Sequence, residues 1–280
     1  MMKKFFIIAT ISFLLLFLLG LIRYLLGIES STIIGCAIYY LFYYICMQTQ
    51  KTLDKTKVFL ATVFGILILN VPLRITNFSS SLITFPEMLF YIISLVVAFL
   101  SYSEKKTVFR YIILSIYLLA VSIASLTLYP YWFNYVDYGN FSKQLKKAEI
   151  VNDIRVLTNK KNEKILNGNG RILILDFWNS GCVACFEKFP VLQKLNDKYS
   201  GRVDFFAVNV PFKNENRLDI LKKLPEIGYT FNTVILKDSL AYKELGVKVF
   251  PTTLLIDKDD KIIYRGDIES VEDVIRKLLN

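Results

Sequence analysis

The chain has 280 residues, of which 54% are hydrophobic, a formal charge of +10 and no histidine. A mean hydropathy of +0.43 is too apolar for a wholly soluble protein of this length, so part of the chain belongs in lipid. Without imidazole, mixed Cys/His zinc sites and His-dependent triads are excluded; the Lys and Arg residues fall between apolar runs and over the C-terminal half, a pattern of topology signals and basic surface that argues against nucleic acid.

Residues 1–137 read as an α-helical membrane domain of about five spans: Phe5 to Ile22, Ser31 to Met47, Val58 to Val71, Leu82 to Leu100 and Phe109 to Leu128. The first follows Lys3 and Lys4 as a signal peptide would, but its apolar run is long and no small-x-small cleavage site follows, so it is expected to be retained. The third is short for a bilayer core that needs about 20 residues of helix, unless it continues through Pro72 towards Arg74. Four spans are the fallback.

With the N-terminus in the cytoplasm, the inner segments hold Lys3, Lys4, Lys51, Lys55, Lys57, Lys105, Lys106 and Arg110, eight cations against Arg23 and Arg74 outside. Five spans then deliver the C-terminal half to the periplasmic or extracellular side of a cytoplasmic membrane. The run Tyr129 to Tyr135 is rich in amphipathic rings that favour the interface, and Pro130 suits the end of the last helix. Glu87 and Arg74, near the outer face, are expected to be interfacial anchors rather than a transport site. Cys36 and Cys46 lie ten residues apart on one helix, about 15 Å in rise, and cannot bond to each other. They read as small buried apolar side chains, with an electron relay at Cys36 as the minor alternative.

Residues 138–149 read as a linker, the stretch Phe141 to Glu149 being basic and polar enough for a short linker or helix. From residue 150 to 280, alternating strand and helix signals predict an α/β domain. Strands are expected at Arg171 to Trp178, Val203 to Val210 and Thr233 to Leu236, with a hairpin of Thr252 to Asp257 and Lys261 to Tyr264. Helices are expected at Val183 to Tyr199, kinked at Pro190, at Asn216 to Ile227, around Leu240 to Leu245 and at Glu269 to Leu279.

The chemistry is concentrated in Leu173-Ile-Leu-Asp-Phe-Trp-Asn-Ser-Gly-Cys-Val-Ala-Cys185. An apolar strand enters a brief turn and then a helix whose first turn holds both cysteines, so Cys182 meets backbone N–H groups and the positive end of the helix dipole, which stabilise a thiolate. Three-residue spacing puts Cys185 one turn deeper on the same face, within reach of a disulfide. Such a pair can attack a partner disulfide through Cys182 and resolve the mixed disulfide through Cys185.

This segment resembles the thioredoxin superfamily, and within it the membrane-tethered TlpA/ResA-like branch, over about 130 residues from Ile150 to Asn280. The resemblance rests on Asp176-Phe-Trp178, the Cys-x-x-Cys pair, Phe189-Pro190 and Gly246-Val-Lys-Val-Phe-Pro-Thr-Thr-Leu-Leu-Ile-Asp257. It implies a thioredoxin-like domain with a central mixed sheet and thiol-disulfide oxidoreductase activity on protein thiols and disulfides. It also implies a cis Pro251 beside the disulfide, where a substrate strand pairs, with Phe250 and Trp178 as neighbouring substrate contacts. Asp176 matches the buried acid of thioredoxin, whose raised pKa lets it take the proton from Cys185; a partly solvated strand-end Asp is the bland alternative.

The sequence departs from the branch in two places. Lys188 stands where an acid is usual, the acid having moved to Glu187, which faces elsewhere; Lys188 either favours the thiolate or is a solvated surface lysine. Gly181 replaces an aromatic residue before the first cysteine and leaves the site more open.

No metal and no cofactor beyond the redox-active Cys182–Cys185 disulfide is expected. Val183-Ala184 between the cysteines holds no histidine to destabilise the disulfide, which favours a reductase or isomerase supplied by a membrane electron donor or acceptor protein. The alternatives are a disulfide-forming oxidase recharged by a membrane partner, and a non-catalytic membrane scaffold with a structural disulfide. A copper chaperone is disfavoured for want of histidine, and a peroxidase for want of the Pro-x-x-x-Thr/Ser-x-x-Cys approach to the sulfur.

Overall fold

A straight helix of 48 residues would rise about 72 Å, more than twice a bilayer core of roughly 30 Å, yet the first helix, α1, runs Met2–Thr49. It is broken at Gly27, whose φ of 83° and ψ of 169° lie outside helical space and are accessible to a residue without Cβ. Beyond Gly27 the chain turns back on itself. Tyr39 donates its hydroxyl to the Ser12 carbonyl at 3.0 Å, and Ser31 donates to that of Leu19 at 3.1 Å, contacts that only an antiparallel hairpin permits. α1 is therefore two apolar helical segments on either side of Gly27, which contain the stretches Phe5 to Ile22 and Ser31 to Met47.

The computed structural model describes residues 2–50, 52–103, 107–150, 154–158, 163–166, 170–211, 217–238 and 240–280. The topological signals at Lys51, Lys105 and Lys106, and Asn216 at the expected start of a helix, lie outside the described residues. Two compact units emerge, Met1–Trp132 and Phe133–Asn280.

In the first unit α1 is followed by α2 (Lys55–Thr76), the single turn α3 (Phe78–Ser81), a 3₁₀ turn (Leu82–Thr84), α4 (Phe85–Ser101) and most of α5 (Thr107–Tyr138), whose residues from Phe133 on belong to the second unit. Among the described residues four helices, α1, α2, α4 with its leading turn, and α5, are long and apolar enough to cross a membrane. Small residues set the packing: a Cβ on Gly65 would lie 2.4 Å from the Ala9 carbonyl oxygen, and Ser12 donates to the Thr62 carbonyl at 2.8 Å. α2 continues through Pro72, so the third apolar run does reach 22 residues. α5 likewise continues through Pro130, where the sequence suggested its end. A proline deletes one backbone bond and can bend a helix without ending it. Glu87, expected as an interfacial anchor, is instead buried within the helices and paired with Arg23.

The second unit contains β1 (Gln144–Ile150), β2 (Ile154–Leu157), β3 (Glu163–Leu166), β4 (Ile172–Trp178), α6 (Val183–Tyr199), β5 (Val203–Asn209), α7 (Arg217–Glu226), β6 (Asn232–Leu236), α8 (Ala241–Glu244), β7 (Thr252–Ile256), β8 (Lys261–Gly266) and α9 (Val271–Leu279). The strands form one mixed sheet in the order β1-β8-β7-β4-β5-β6-β2-β3. β4 is central, parallel to β5 and antiparallel to β7, and all seven of its residues are buried. That accounts for a continuous apolar run in place of the alternation of a half-exposed strand.

Its even-numbered Ile172, Ile174 and Trp178 pack with Leu192 and Leu195 of α6, Leu224 of α7 and Ile275 of α9. Its odd-numbered Leu173, Leu175 and Phe177 pack with Val156, Val208, Leu254 and Val247 on the other face. β1 lies in the stretch read as a linker, and pairing with β8 accounts for the difference: its backbone groups are satisfied by a neighbour far along the chain, which composition does not reveal.

Candidate active site

The turn between β4 and α6 is built by local hydrogen bonds. Asn179 accepts the Gly181 N–H on its side-chain oxygen at 3.0 Å and the Cys182 N–H on its carbonyl at 3.2 Å, an Asx turn that ends the strand and aims the chain into the helix. Cys182 is the N-cap residue of α6, and its Sγ accepts the backbone N–H of Cys185 at 3.1 Å, the bond a cap oxygen normally makes. The same N–H and the helix dipole are in place to hold negative charge on Cys182 once the disulfide opens.

Cys182 and Cys185 are joined in a disulfide. Cys182 is partly exposed, Val183 beside it is 74% exposed and Cys185 is fully buried, so the disulfide joins a residue that reaches the surface to one that does not. Lining the floor, Trp178 meets Phe186 and Phe189 edge-on at centroid distances of 5.7 and 5.3 Å. Trp178 has no exposed surface, so the expectation that it contacts substrate is corrected. The aromatic residues of α6 close over it, and it supports the cysteine turn from beneath.

Asp176 lies on the same face of β4 as Trp178, two residues earlier, and is fully buried. Thr253, its cross-strand neighbour on β7, donates to Oδ1 at 2.7 Å, while Oδ2 has no hydrogen-bond partner among the described residues. Burial pushes the Asp176 carboxyl up to about 7, the Thr253 hydrogen bond opposing that rise and the charge of Glu269 adding to it. The bland alternative of a partly solvated Asp does not hold.

The Phe250–Pro251 peptide bond is cis. Both residues are half-buried and line a cleft of about 450 Å³ with Asp137, Tyr138, Lys188 and Glu269. Lys188 lines this cleft with Pro251, yet its side chain is partly exposed and its ammonium is ion-paired with Glu269, whose hydrogen bond raises its pKa. Glu187 is exposed. Sequence reading missed Asn179, Thr253 and Glu269; the Asn-x-Gly of the turn signalled the first, whereas the other two come from distant strands and loops. Among the described residues no cluster of three or more metal-ligating side chains occurs. Cys36 and Cys46 are unpaired and buried in the helical unit.

A mixed sheet with a helix-capping Cys-x-x-Cys disulfide, a buried acid on the strand that leads into it and a cis proline immediately before β7 defines a thiol-disulfide oxidoreductase of thioredoxin-like fold. The thioredoxin-like family model matches residues 169–262. Thiol-disulfide oxidoreductase ResA of Geobacillus kaustophilus (strain HTA426) is 31% identical over 152 residues, 51% of this chain and 84% of that protein. ResA of Geobacillus thermodenitrificans (strain NG80-2) is 31% identical over 103 residues, and the match spans 58% of its length and 36% of this chain. A solved structure of a putative thiol:disulfide interchange protein DsbE from Chlorobium tepidum covers 49% of this chain and 99% of its own, at 26% identity and a TM-score of 0.43. The chain belongs to the ResA-like thiol-disulfide oxidoreductases.

Proposed function

We propose that this protein exchanges disulfides with extracytoplasmic proteins through the Cys182-Val-Ala-Cys185 dithiol, as a reductase or isomerase held by a multi-pass anchor. The observation that carries the reading is the partly exposed Cys182 capping α6, with the buried Cys185 bonded to it.

In the reducing direction the Cys182 thiolate attacks one sulfur of a substrate disulfide, whose other sulfur leaves as a thiolate and takes a proton. Cys185 then gives its proton to Asp176, attacks Cys182 Sγ and expels the second substrate thiolate. Two electrons pass from the dithiol to the substrate, and the disulfide is left on the enzyme. A carboxyl near pKa 7 with a free oxygen suits that proton transfer at neutral pH. Pro251 and Phe250 border the cleft in which a substrate strand pairs, and no redox group other than the disulfide is needed. A membrane electron donor or acceptor protein resets the pair. The eight-to-two distribution of cations supports an inner N-terminus and five crossings, counting α1 as two, which puts the thioredoxin-like domain outside.

Trapping in intact cells tests this reading: Cys185→Ala is expected to accumulate mixed disulfides on Cys182 that disappear in Cys182→Ala. An absence of adducts in both variants, with function surviving Cys182→Ser, would replace exchange by a structural disulfide.

A further inference from the structure

The helical unit holds a cavity of about 570 Å³ between the first half of α1, the end of α2 and the start of α4, within the range of small-molecule sites. One part of its wall is hydrocarbon, with Leu16, Leu69 and Met88; the other carries Arg23, Arg74 and Glu87.

The charges there do not cancel. The Glu87 carboxylate already accepts from Arg23 Nη1 at 2.9 Å, Ser31 Oγ at 2.9 Å and Tyr91 OH at 2.6 Å. Arg74 donates only to neutral oxygens, Asn70 Oδ1 and the Thr84 carbonyl, each at 3.2 Å, and its guanidinium lies 5.7 Å from the centre of the Phe85 ring. Its Nε is buried without a hydrogen-bond partner, and no carboxylate is within ion-pairing distance of Arg74 among the described residues. Two guanidiniums thus face one satisfied carboxylate in a largely apolar setting, where an uncompensated cation is unfavourable and a guanidinium fork matches an oxyanion.

We infer that this cavity binds an anionic amphiphile, its phosphate or carboxylate head on Arg74 and its hydrocarbon chain along Leu16, Leu69 and Met88. Both a phospholipid and a free fatty acid have this chemistry, and basic pockets between membrane helices are suited to such head groups.

Native mass spectrometry of the full-length protein, titrated from neutral detergent with dioleoylphosphatidylglycerol, dioleoylphosphatidylcholine, oleate or ubiquinone, provides the test. One phosphatidylglycerol or one oleate is expected to be retained with at least tenfold preference over phosphatidylcholine, and which of them is retained identifies the source. Arg74→Gln is expected to bring phosphatidylglycerol or oleate down to the phosphatidylcholine level, while Arg276→Gln changes nothing. Leu69→Trp, which fills the apolar wall and keeps every charge, is expected to reduce retention at least tenfold and decides the matter if Arg74→Gln does not fold. Equal retention of phosphatidylglycerol and phosphatidylcholine with no excess of oleate, preferential retention of ubiquinone, or full anion retention by a folded Arg74→Gln or Leu69→Trp protein would overturn the inference.

Discussion

Thr253 donates its hydroxyl to Asp176 Oδ1 at 2.7 Å across the β7–β4 pair, leaving Oδ2 the one unsatisfied oxygen of a fully buried carboxyl. That asymmetry makes the acid both a burden on the fold and a proton acceptor.

Because the folded pKa of about 7 exceeds the ordinary 3.8, the native state holds the Asp176 proton more tightly than the unfolded chain does. Stability is therefore lost as pH rises from about 4 to 7, and the full penalty is present above that window. Asp176→Asn is expected to stabilise the second unit by on the order of 4 kcal/mol at pH 8 and by little near pH 4. Denaturant titrations at both pH values, followed by Trp178 fluorescence in a Trp132→Phe background, would show it. An equal gain at both pH values would refute the buried-acid account.

Thr253→Val removes the hydrogen bond that favours the charged carboxylate, so the Asp176 pKa is expected to rise further. If Asp176 accepts the Cys185 proton, the rising limb of the pH–rate profile for disulfide reduction moves alkaline by roughly one unit, the worth of one such bond. An unshifted profile would remove Asp176 from the proton path.

Phe189 has no exposed surface and touches the rings of Trp178, Phe186, Tyr229 and Phe231. Phe189→Ala opens a cavity under the cysteine turn and is expected to destabilise the second unit by about 3–5 kcal/mol. A loss below about 1 kcal/mol in chemical denaturation would mean that the site collapses around the gap.

Gly246 has φ of +71°, and a Cβ there would lie 2.5 Å from Arg265 Cζ. Arg265 is itself 6% exposed and donates Nε to the Leu245 carbonyl, so it has little room to retreat. Gly246→Ala is expected to lower stability by about 1–2 kcal/mol from the left-handed backbone alone, with the displaced guanidinium adding to it. A thermal midpoint equal to that of the parent protein would contradict this.

Local features were legible in the sequence and distant ones were not. The strand, turn and helix around Cys182 and Cys185 were legible because an apolar run and a three-residue spacing act over neighbouring residues. Trp178 was misplaced as a substrate contact, since the closure of Phe186 and Phe189 over it follows from helix packing. The β1 strand was hidden in a basic stretch, and Glu87 was read as an anchor because its burial depends on Arg23 and Ser31 of another helix as well as on Tyr91 of its own.

By itself the sequence determined that apolar helices precede a thioredoxin-like domain and which two sulfurs join at the start of a helix, because hydrophobic periodicity and helix capping are properties of short segments. Only the tertiary structure decided that burial raises the Asp176 carboxyl against the opposing Thr253 hydrogen bond, that Lys188 is tied to Glu269, and that Arg74 makes no ion pair among the described residues. Those outcomes depend on burial and on partners dozens of residues away, and both dielectric environment and pairing are set by how the elements pack.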